Sequence, residues 1–236
     1  MKYAGIVIAL LCLCLPVAAQ QHEPQSEKQP AHKLVQFQLA LVKRGPKAMA
    51  AGWETSSLRE RHLAYVQSLA QAGKLMIAGR IKDDPELMGV VIFRTESAAE
   101  ARNWLDADPA ITAGQFTAEL HPWWSEDVMK KTATPGKTMT AYLAFLVRGE
   151  KWTPDKTPET EAIQKAHLAN IGRLAEMKKL VVAGPFGDDG TLRGIFVFRV
   201  DSLEEARSLA ETDPAVKAGR LALQIHPWVV PEGILP

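Results

Sequence analysis

Apolar residues recur along this chain at two spacings, one typical of strands and one typical of helices. The segments with each spacing predict the order of its strands and helices. Residues 34–43 alternate at about every second position, which is typical of a strand, and residues 141–148 repeat that pattern. Residues 55–73 and 158–178 instead place apolar side chains at the spacing of a helix. A strand followed by a helix is therefore predicted twice in the chain.

The segments that follow each helix also occur twice. Two short apolar runs around an acidic turn predict a hairpin, a serine with a glutamate three residues later predicts the start of a second helix, and a further apolar run predicts a last strand. In the first half these segments are 75–79, 90–94, Ser97 with Glu100, and 115–121. In the second half they are 180–184, 195–199, Ser202 with Glu205, and 220–226. Both halves thus predict the order βαββαβ.

A tandem duplication explains this repetition. At an offset of 105 positions, 27 of the 62 positions from 62 to 123 are identical. The recurring pairs include His62 and His167, Asp108 and Asp213, and Trp123 and Trp228. Because one offset covers this whole stretch, we expect both halves to have the same complete fold with loops of equal length.

The order βαββαβ is the split ferredoxin-like pattern of an α+β fold, with both helices on one face of a four-stranded antiparallel sheet. The strands carry too many apolar residues on both faces for either face to stay in water. We therefore predict that the two ferredoxin-like repeats pack sheet to sheet as an intramolecular pseudo-dimer, a unit that is compatible with further oligomerisation.

The composition is that of an ordinary globular protein, with 47% hydrophobic and 23% charged residues. It excludes the collagen-like, wholly disordered and cysteine-stapled classes of protein. The 28 basic and 27 acidic side chains nearly cancel. The chain therefore has no excess of basic residues that would attract the phosphates of a nucleic acid, and we predict no nucleic-acid partner.

Residues 1–19 have the layout of a secretory signal peptide: a basic residue, an apolar run, and Val17 and Ala19 as the small residues before a cut at Gln20. The apolar run is shorter than the ~20 residues of a bilayer span, which favours cleavage over an uncleaved membrane anchor. We predict export to the periplasm or the medium, with no membrane association after cleavage. Both cysteines leave with this segment, which excludes a thiolate nucleophile and a cysteine-based metal site from the mature chain.

The predicted organisation is a signal peptide at 1–19, a flexible polar tail at 20–33, a first repeat at 34–124, a linker at 125–139 and a second repeat at 140–230.

Each repeat carries a histidine on its first helix, then K-L-x-x-A-G, F-R, D-P-A-x-x-A-G and a terminal P-W. This set resembles the YCII-related (YciI-like) family of dimeric α/β-barrel proteins, over roughly 34–124 and 140–229. The resemblance implies an intramolecular dimeric α/β barrel and a pocket built around a histidine and an aspartate in each repeat. One protein of this family is a dehydrochlorinase of hydroxyquinones. Carried over by position, the implied catalytic pairs are His62 with Asp108 and His167 with Asp213.

The two helix histidines also stand out by their position on the helix. Each lies on an apolar stripe, which predicts that the imidazole faces the sheet. The stripes are Leu58, Tyr65 and Leu69 for His62, and Ile163, Ile171 and Leu174 for His167. A partly buried histidine beside a carboxylate suits general acid/base chemistry, and the alternative is a structural core histidine that the carboxylate satisfies.

Asp108 and Asp213 have a structural interpretation as well. Each precedes a proline, and aspartate is a favoured helix N-cap while proline is a favoured first helical residue. The cap needs one carboxylate oxygen, so the other oxygen remains for a histidine. The capping role and the functional role are therefore compatible.

Three arginines are candidate ligand-binding residues. Arg94 and Arg199 recur at a strand end, where a guanidinium suits a substrate carboxylate or phenolate, and the alternative is a solvated side chain. Arg80 stands where the second repeat has Pro185, and Ile81 where it has Phe186, so the second repeat matches the family more closely. Arg80 could make the first site selective for anionic ligands.

The remaining polar motifs predict structure rather than chemistry. His121 and His226 precede Pro-Trp at a strand end without a visible partner, so we predict that they are structural. Asp83-Asp84 and Asp188-Asp189 suit hairpin turns better than a metal site. We predict neither a metal site nor a cofactor.

These observations favour an exported small-molecule enzyme, similar to a lyase or an isomerase, that acts on a small cyclic or phenolic compound through a His–Asp acid/base pair. Two alternatives stay open. One is a non-catalytic small-ligand-binding protein with structural His–Asp pairs, and the other is a purely structural partner protein.

Overall fold

The computed structural model describes residues 33–48, 56–129 and 136–236. The predicted signal peptide at 1–19 lies outside the described residues, as do all but the last residue of the predicted tail. None of the helices in the described ranges combines the length and the apolar character that a membrane span requires.

Both repeats have the predicted order βαββαβ, with an additional short helix before the last strand. The first repeat consists of β1 (Val35–Arg44), α1 (Ser57–Gln71), β2 (Leu75–Ile81), β3 (Leu87–Phe93), α2 (Ala98–Asp106), α3 (Pro109–Thr112) and β4 (Phe116–Ser125). The second consists of β5 (Thr138–Arg148), α4 (Pro158–Glu176), β6 (Leu180–Pro185), β7 (Leu192–Phe198), α5 (Leu203–Ala210), α6 (Pro214–Lys217) and β8 (Leu221–Pro231). The α+β class predicted from the periodicity is confirmed.

The helix starts follow from capping side chains. Ser97 begins α2 by accepting a hydrogen bond from the Glu100 amide, and Ser202 does the same for α5 with the Glu205 amide. These bonds satisfy amide groups that have no partner within the first turn of a helix. The serine–glutamate spacing therefore marks both helix starts correctly.

The eight strands form one antiparallel sheet in the order β4-β1-β3-β2-β8-β5-β7-β6. β2 of the first repeat pairs with β8 of the second, where Ile81 lies opposite Trp228. The two outer strands, β4 and β6, meet where Trp123 bridges Phe186. The sheet therefore closes into a barrel with two seams, and each seam joins a strand of one repeat to a strand of the other. The predicted dimeric α/β barrel is confirmed.

In the part of the chain that the structure describes, buried apolar side chains lie in three cores. The barrel interior holds residues of both repeats, among them Leu39 and Leu143, which are fully buried. Outside the barrel, the helices of the first repeat cover its sheet around Leu105, and those of the second cover theirs around Leu174. Both faces of each sheet are thus buried, as the apolar content of the strands requires.

The duplication is not quite regular. Leu41 pairs with Val90 and Phe145 pairs with Ile195, so β1 and β5 are offset by 145 − 41 = 104 positions while β3 and β7 are offset by 195 − 90 = 105. The second repeat therefore has one additional residue between its first strand and its first helix. The expectation of equal loop lengths is correct from α1 onward and wrong for this first connection.

Each seam brings a tryptophan of one repeat onto a glycine of the other. A Cβ atom added to Gly79 would lie 2.2 Å from Nε1 of Trp228, and one added to Gly184 would lie 1.8 Å from the carbonyl oxygen of Trp124. The Trp123 indole donates a hydrogen bond of 3.1 Å to the carbonyl of Gly184. Barrel closure thus explains why Ala-Gly and Pro-Trp recur in both repeats.

We predict that Gly184→Ala destabilises the protein by about 3 kcal/mol or more, because its methyl group would overlap a backbone oxygen that cannot move without opening the seam. Urea unfolding monitored by tryptophan fluorescence measures this loss. Gly190→Ala is the control, since the closest atom to its Cβ would be Oδ1 of Asp188, at 3.0 Å. Equal stability of the two variants would contradict this account of the seam.

Candidate functional site

The first-repeat histidine and aspartate are in direct contact. Nδ1 of His62, on α1, lies 2.8 Å from Oδ2 and 2.9 Å from Oδ1 of Asp108. Asp108 also begins α3, because its Oδ1 accepts a hydrogen bond of 2.8 Å from the Ala110 amide. A carboxylate only accepts hydrogen bonds, so Nδ1 carries the hydrogen and Nε2 is the basic nitrogen of the neutral ring.

A small cavity of about 40 Å³ lies beside this pair, between the helices and the outer face of the sheet. It has room for roughly two or three water molecules. Besides His62 and Asp108, its lining includes Tyr65, Leu69, Val91, Trp104 and Phe116. The His62 side chain is 21% exposed, so the site lies close to the surface.

Tyr65 is a site residue that the sequence analysis placed only on an apolar stripe. Its hydroxyl donates a hydrogen bond of 2.8 Å to the Trp104 carbonyl. Burial raises the pKa of Tyr65, and the negative charge of Asp108 raises this pKa further. Tyr65 therefore stays protonated at neutral pH and adds a neutral polar group to an otherwise apolar cavity wall.

The second repeat contains the corresponding contact in a more enclosed form. Nδ1 of His167 lies 2.7 Å from Oδ2 of Asp213, and Oδ1 of Asp213 accepts the Ala215 amide at 2.8 Å. One oxygen thus caps α6 while the other holds the histidine. The His167 ring stacks on Phe196 with 6.0 Å between the ring centroids, and its side chain is only 11% exposed.

Two substitutions distinguish the sites of the two repeats. Phe196 stands at the position of Val91, so an aromatic ring in the second repeat occupies the place where the first repeat has a smaller side chain beside its cavity. Asn170 stands at the position of Tyr65. Its Oδ1 accepts a hydrogen bond of 2.7 Å from Arg173, and its buried Nδ2 has no hydrogen-bond partner among the described residues. The two sites are therefore related by descent but differ in shape and polarity.

The three arginines lie away from these pairs. Arg94 forms an ion pair of 2.7 Å with Asp127, and Arg199 donates a hydrogen bond of 2.6 Å to the carbonyl of Pro236. Arg80 is exposed on β2, and none of the three lines the cavity beside His62. Their role as ligand-binding residues stays a prediction.

The strand-end histidines have partners that the sequence analysis missed. Nδ1 of His121 lies 2.7 Å from Oδ2 of Asp188, and Nδ1 of His226 lies 3.0 Å from Oδ1 of Asp83. Each contact joins a strand of one repeat to the hairpin turn of the other. No local pattern could reveal them, because the partners are 67 and 143 positions apart and meet only when the barrel closes.

The Asp188 carboxylate is sensitive to this seam contact. Burial alone raises the pKa of Asp188, but hydrogen bonds from His121 and from the Gly190 amide, together with the charge of Arg193, outweigh it and lower the pKa below its ordinary value. The ionised form of Asp188 is therefore favoured in the folded protein.

Comparison with known proteins places these observations in a family. The profile of the YCII-related domain matches the chain twice, at residues 37–123 and 144–229. The uncharacterized protein YjpA of Bacillus subtilis is 33% identical over 90 residues, which cover 38% of this chain and 95% of YjpA. One copy of that protein thus corresponds to one repeat here.

Solved structures share the architecture at low sequence identity. A mutant chlorite dismutase from Candidatus Nitrospira defluvii in complex with cyanide has a TM-score of 0.53 and 13% identity, covering 83% of this chain and 90% of its own. A heme-binding protein from Thermus thermophilus has a TM-score of 0.50 and 14% identity, covering 84% and 92%. At this identity, the similarity shows the fold alone.

The residues around the two helix histidines do not fit a haem. The cavity beside His62 holds only a few water molecules, and the ring of Phe196 lies against His167. Within the described ranges, no group of three or more histidine, cysteine or acidic side chains is arranged to hold a metal ion.

We predict that Asp188→Asn lowers the free energy of unfolding at pH 6 by about 1 kcal/mol, since it removes a charge-assisted hydrogen bond at a partly exposed seam. Because folding lowers the pKa of Asp188, its ionised form stabilises the folded protein at pH values above the ordinary pKa of 3.8. This stabilisation is lost as the pH falls through the lowered pKa. The difference between wild type and variant should therefore shrink from pH 5 toward pH 2.5. Urea titrations across this range measure it.

The control for this experiment is Asp189→Asn, which changes the exposed neighbouring turn residue and should have little effect at any pH. A difference between wild type and Asp188→Asn that stayed constant from pH 6 to pH 2.5 would contradict the assigned pKa direction.

Proposed function

The chain belongs to the YCII-related domain family, and on that basis we propose that it is a small-molecule enzyme in which His62 transfers protons and Asp108 orients the imidazole. One observation carries this proposal. The Asp108 carboxylate holds Nδ1 of His62 at 2.8 Å beside a cavity while the same carboxylate is fixed by capping α3.

The chemistry follows from the tautomer. With Nδ1–H donated to Asp108, the neutral ring presents Nε2 as its base, and the carboxylate stabilises the imidazolium after proton uptake. A single imidazole can accept a proton from one substrate atom and return it to another. Such a transfer suffices for a lyase-like or isomerase-like reaction, with no further catalytic group required for the proton.

The cavity wall favours a cyclic or phenolic substrate. Trp104 and Phe116 contribute aromatic surface, and the ring centroids of His62 and Phe116 are 5.6 Å apart in an edge-on arrangement. The protonated Tyr65 adds a polar group at the same wall. A planar ring with hydroxyl groups matches this lining in its chemistry. Because the cavity of about 40 Å³ is smaller than such a ring, the ring would bind at its mouth with one edge toward His62.

The alternative role, a structural His–Asp pair, is favoured for the second repeat. His167 is nine-tenths buried and stacked on Phe196, and Asp213 is fully buried. A substrate would have to displace an aromatic side chain to reach this ring. We therefore propose that the first repeat carries the reaction and that the pair in the second repeat stabilises the packing of α4 against α6.

Two parts of the proposal rest on the sequence. Export to the periplasm or the medium rests on the signal-like pattern of residues 1–19. The role of Arg80, Arg94 and Arg199 as ligand-binding residues also rests on the sequence. To contact a substrate beside His62, these side chains would have to leave the positions described above.

We predict that Asp108→Asn moves the neutral His62 ring to the Nε2–H tautomer. The asparagine oxygen is needed to cap the Ala110 amide, so its NH₂ group faces Nδ1 and donates to it. Nitrogen-15 NMR of the imidazoles distinguishes the two tautomers. With a chlorinated hydroxyhydroquinone as the probe, the variant should also release chloride about 100-fold more slowly, the magnitude expected for impaired acid/base catalysis.

Asp213→Asn is the matched control, because it makes the same change at His167. It should alter the tautomer of His167 and leave chloride release unchanged. In the probe reaction one hydroxyl proton moves to the ring carbon that bears chlorine, which gives a keto form. The base then takes a second hydroxyl proton while the C–Cl electron pair leaves as chloride, and the product is a hydroxybenzoquinone. Equal chloride release by wild type and Asp108→Asn, or an unchanged His62 tautomer in Asp108→Asn, would contradict the proposal.

We predict that the residue at position 91 controls access of a phenolic ring to His62. Val91→Ala enlarges the cavity and should strengthen hydroquinone binding several-fold, whereas Val91→Phe introduces the side chain found in the second repeat and should abolish it. NMR shifts of the His62 ring during a hydroquinone titration measure both effects. A titration that shifts His167 instead, or that Val91→Phe leaves unchanged, would refute this assignment.

A further inference from the structure

A second and larger cavity, of about 330 Å³, lies at one end of the barrel between the two repeats. Its volume falls within the range of small-molecule sites, which begins at about 300 Å³. Strands of both repeats line it, and neither His62 nor His167 is among its lining residues. It is therefore separate from the proposed catalytic site.

The cavity lies on the pseudo-two-fold axis that relates the repeats. Its lining contains three pairs of equivalent positions, one member from each repeat, as the strand registers show. The pairs are Leu41 with Phe145, Leu87 with Leu192, and Glu119 with Gln224. Because the cavity lies on this axis, each repeat contributes one residue from each of these pairs to the same lining.

The charged groups around this cavity break the symmetry. Lys43, Glu86 and Glu119 all come from the first repeat, and the equivalent positions of the second repeat carry Val147, Thr191 and Gln224. In a homodimer every such substitution would appear on both sides of the axis. Because the repeats are fused, the charge could be placed on one side only.

The charged side of the cavity is acidic. Asp84, Glu86 and Glu119 line it together with a single lysine, Lys43. Lys43 forms an exposed ion pair with Glu119, and Arg44 lies 3.6 Å from Glu86. The pKa of Asp84 is lowered by hydrogen bonds from the amides of Leu87 and Glu86, so this carboxylate is ionised at neutral pH.

A buried histidine lies next to this side. Among the described residues, Nε2 of His121 has no partner in hydrogen-bond geometry although the residue is nine-tenths buried, and it lies 3.2 Å from Oε1 of Glu119. The hydrogen bond from Lys43 and the contact with His121 lower the pKa of Glu119, so this half-exposed carboxylate is ionised at neutral pH. An ionised carboxylate only accepts hydrogen bonds, so a cationic N–H donor in the cavity matches it.

The cavity also has an apolar lining. Leu41 and Phe145 are both buried in the barrel core, and Leu87 and Leu192 pack against that core. Leu41 is the cross-strand partner of Glu119, so the apolar lining begins directly beside this carboxylate. The acidic and the apolar residues therefore fit different ends of one molecule, and the volume is large enough for a small ring.

We propose that this axial cavity binds a small organic ammonium ion with an apolar body, with the ammonium group beside Glu119 and the body against Leu41 and Phe145. The single charged side gives the ligand one orientation. Binding weakens with added salt, because the carboxylates are partly exposed and their attraction is screened.

Isothermal titration calorimetry of the full chain with benzylamine, benzyl alcohol and benzoate tests this site. These probes share one ring size and differ in charge. We expect benzylamine to bind at least tenfold more tightly than benzyl alcohol, and benzoate to bind no better than the alcohol. During the benzylamine titration, NMR signals of the His226 ring, which lines the cavity, should shift while those of His62 stay in place.

The double variant Glu86→Thr, Glu119→Gln carries the second repeat's own residues at the equivalent positions, so the barrel already accommodates them. It should weaken benzylamine binding at least tenfold and leave benzyl alcohol binding unchanged. Gln224→Glu adds a carboxylate to the same cavity and should strengthen benzylamine binding.

Three results would overturn the proposal: equal binding of benzylamine and benzyl alcohol, benzylamine binding that the double variant does not alter, or displacement of benzylamine by an equimolar amount of calcium chloride. The last result would assign the site to an inorganic cation. None of these outcomes depends on the reaction proposed at His62, because each is measured as binding at the barrel axis.

Discussion

The barrel closes because tryptophan residues at each seam lie directly on a residue without a side chain. The Trp228 indole occupies the space beside Gly79, and the Trp124 carbonyl occupies the space beside Gly184, whose own carbonyl accepts a hydrogen bond from the Trp123 indole. This close approach lets the edge strands of the two repeats meet, so that the inner faces of both sheets share one core. His121 and His226 precede Trp123 and Trp228 by two residues. Closure of the seams therefore places each histidine beside an aspartate in the hairpin turn of the other repeat.

Fusion of the two repeats allowed equivalent positions to acquire different side chains. In the outer layer, Val91 leaves space beside His62, whereas Phe196 covers His167. At the barrel axis, Glu119 faces a cavity to which the second repeat contributes Gln224 at the same position. In a homodimer the two members of each pair would be identical, because each substitution would occur in both copies. The duplicated chain therefore combines a shared scaffold with one open site in the outer layer and one asymmetric cavity at the axis.

Histidine–aspartate contacts serve two purposes in this molecule. Asp108 is already fixed by capping a helix, so its contact with His62 orients the imidazole without ordering a free side chain. Asp188 is fixed in a turn in a similar way, through the Gly190 amide, but its contact with His121 joins two repeats. In both cases a local hydrogen bond fixes the carboxylate before the histidine reaches it, which lowers the entropic cost of the contact. The surroundings, a cavity in one case and a seam in the other, separate a candidate catalytic pair from a structural one.

The sequence by itself determined the duplication, the order βαββαβ and the helix starts, because periodicity and capping residues act over a few neighbouring positions. The contact of His62 with Asp108 also lay within reach of the sequence, through the family resemblance rather than through spacing. Only the tertiary structure decided which strand edges meet, and with them the His121–Asp188 and His226–Asp83 contacts. It likewise decided the two cavities, since the space left in a core depends on side-chain volumes from several elements at once, and no local pattern encodes that sum.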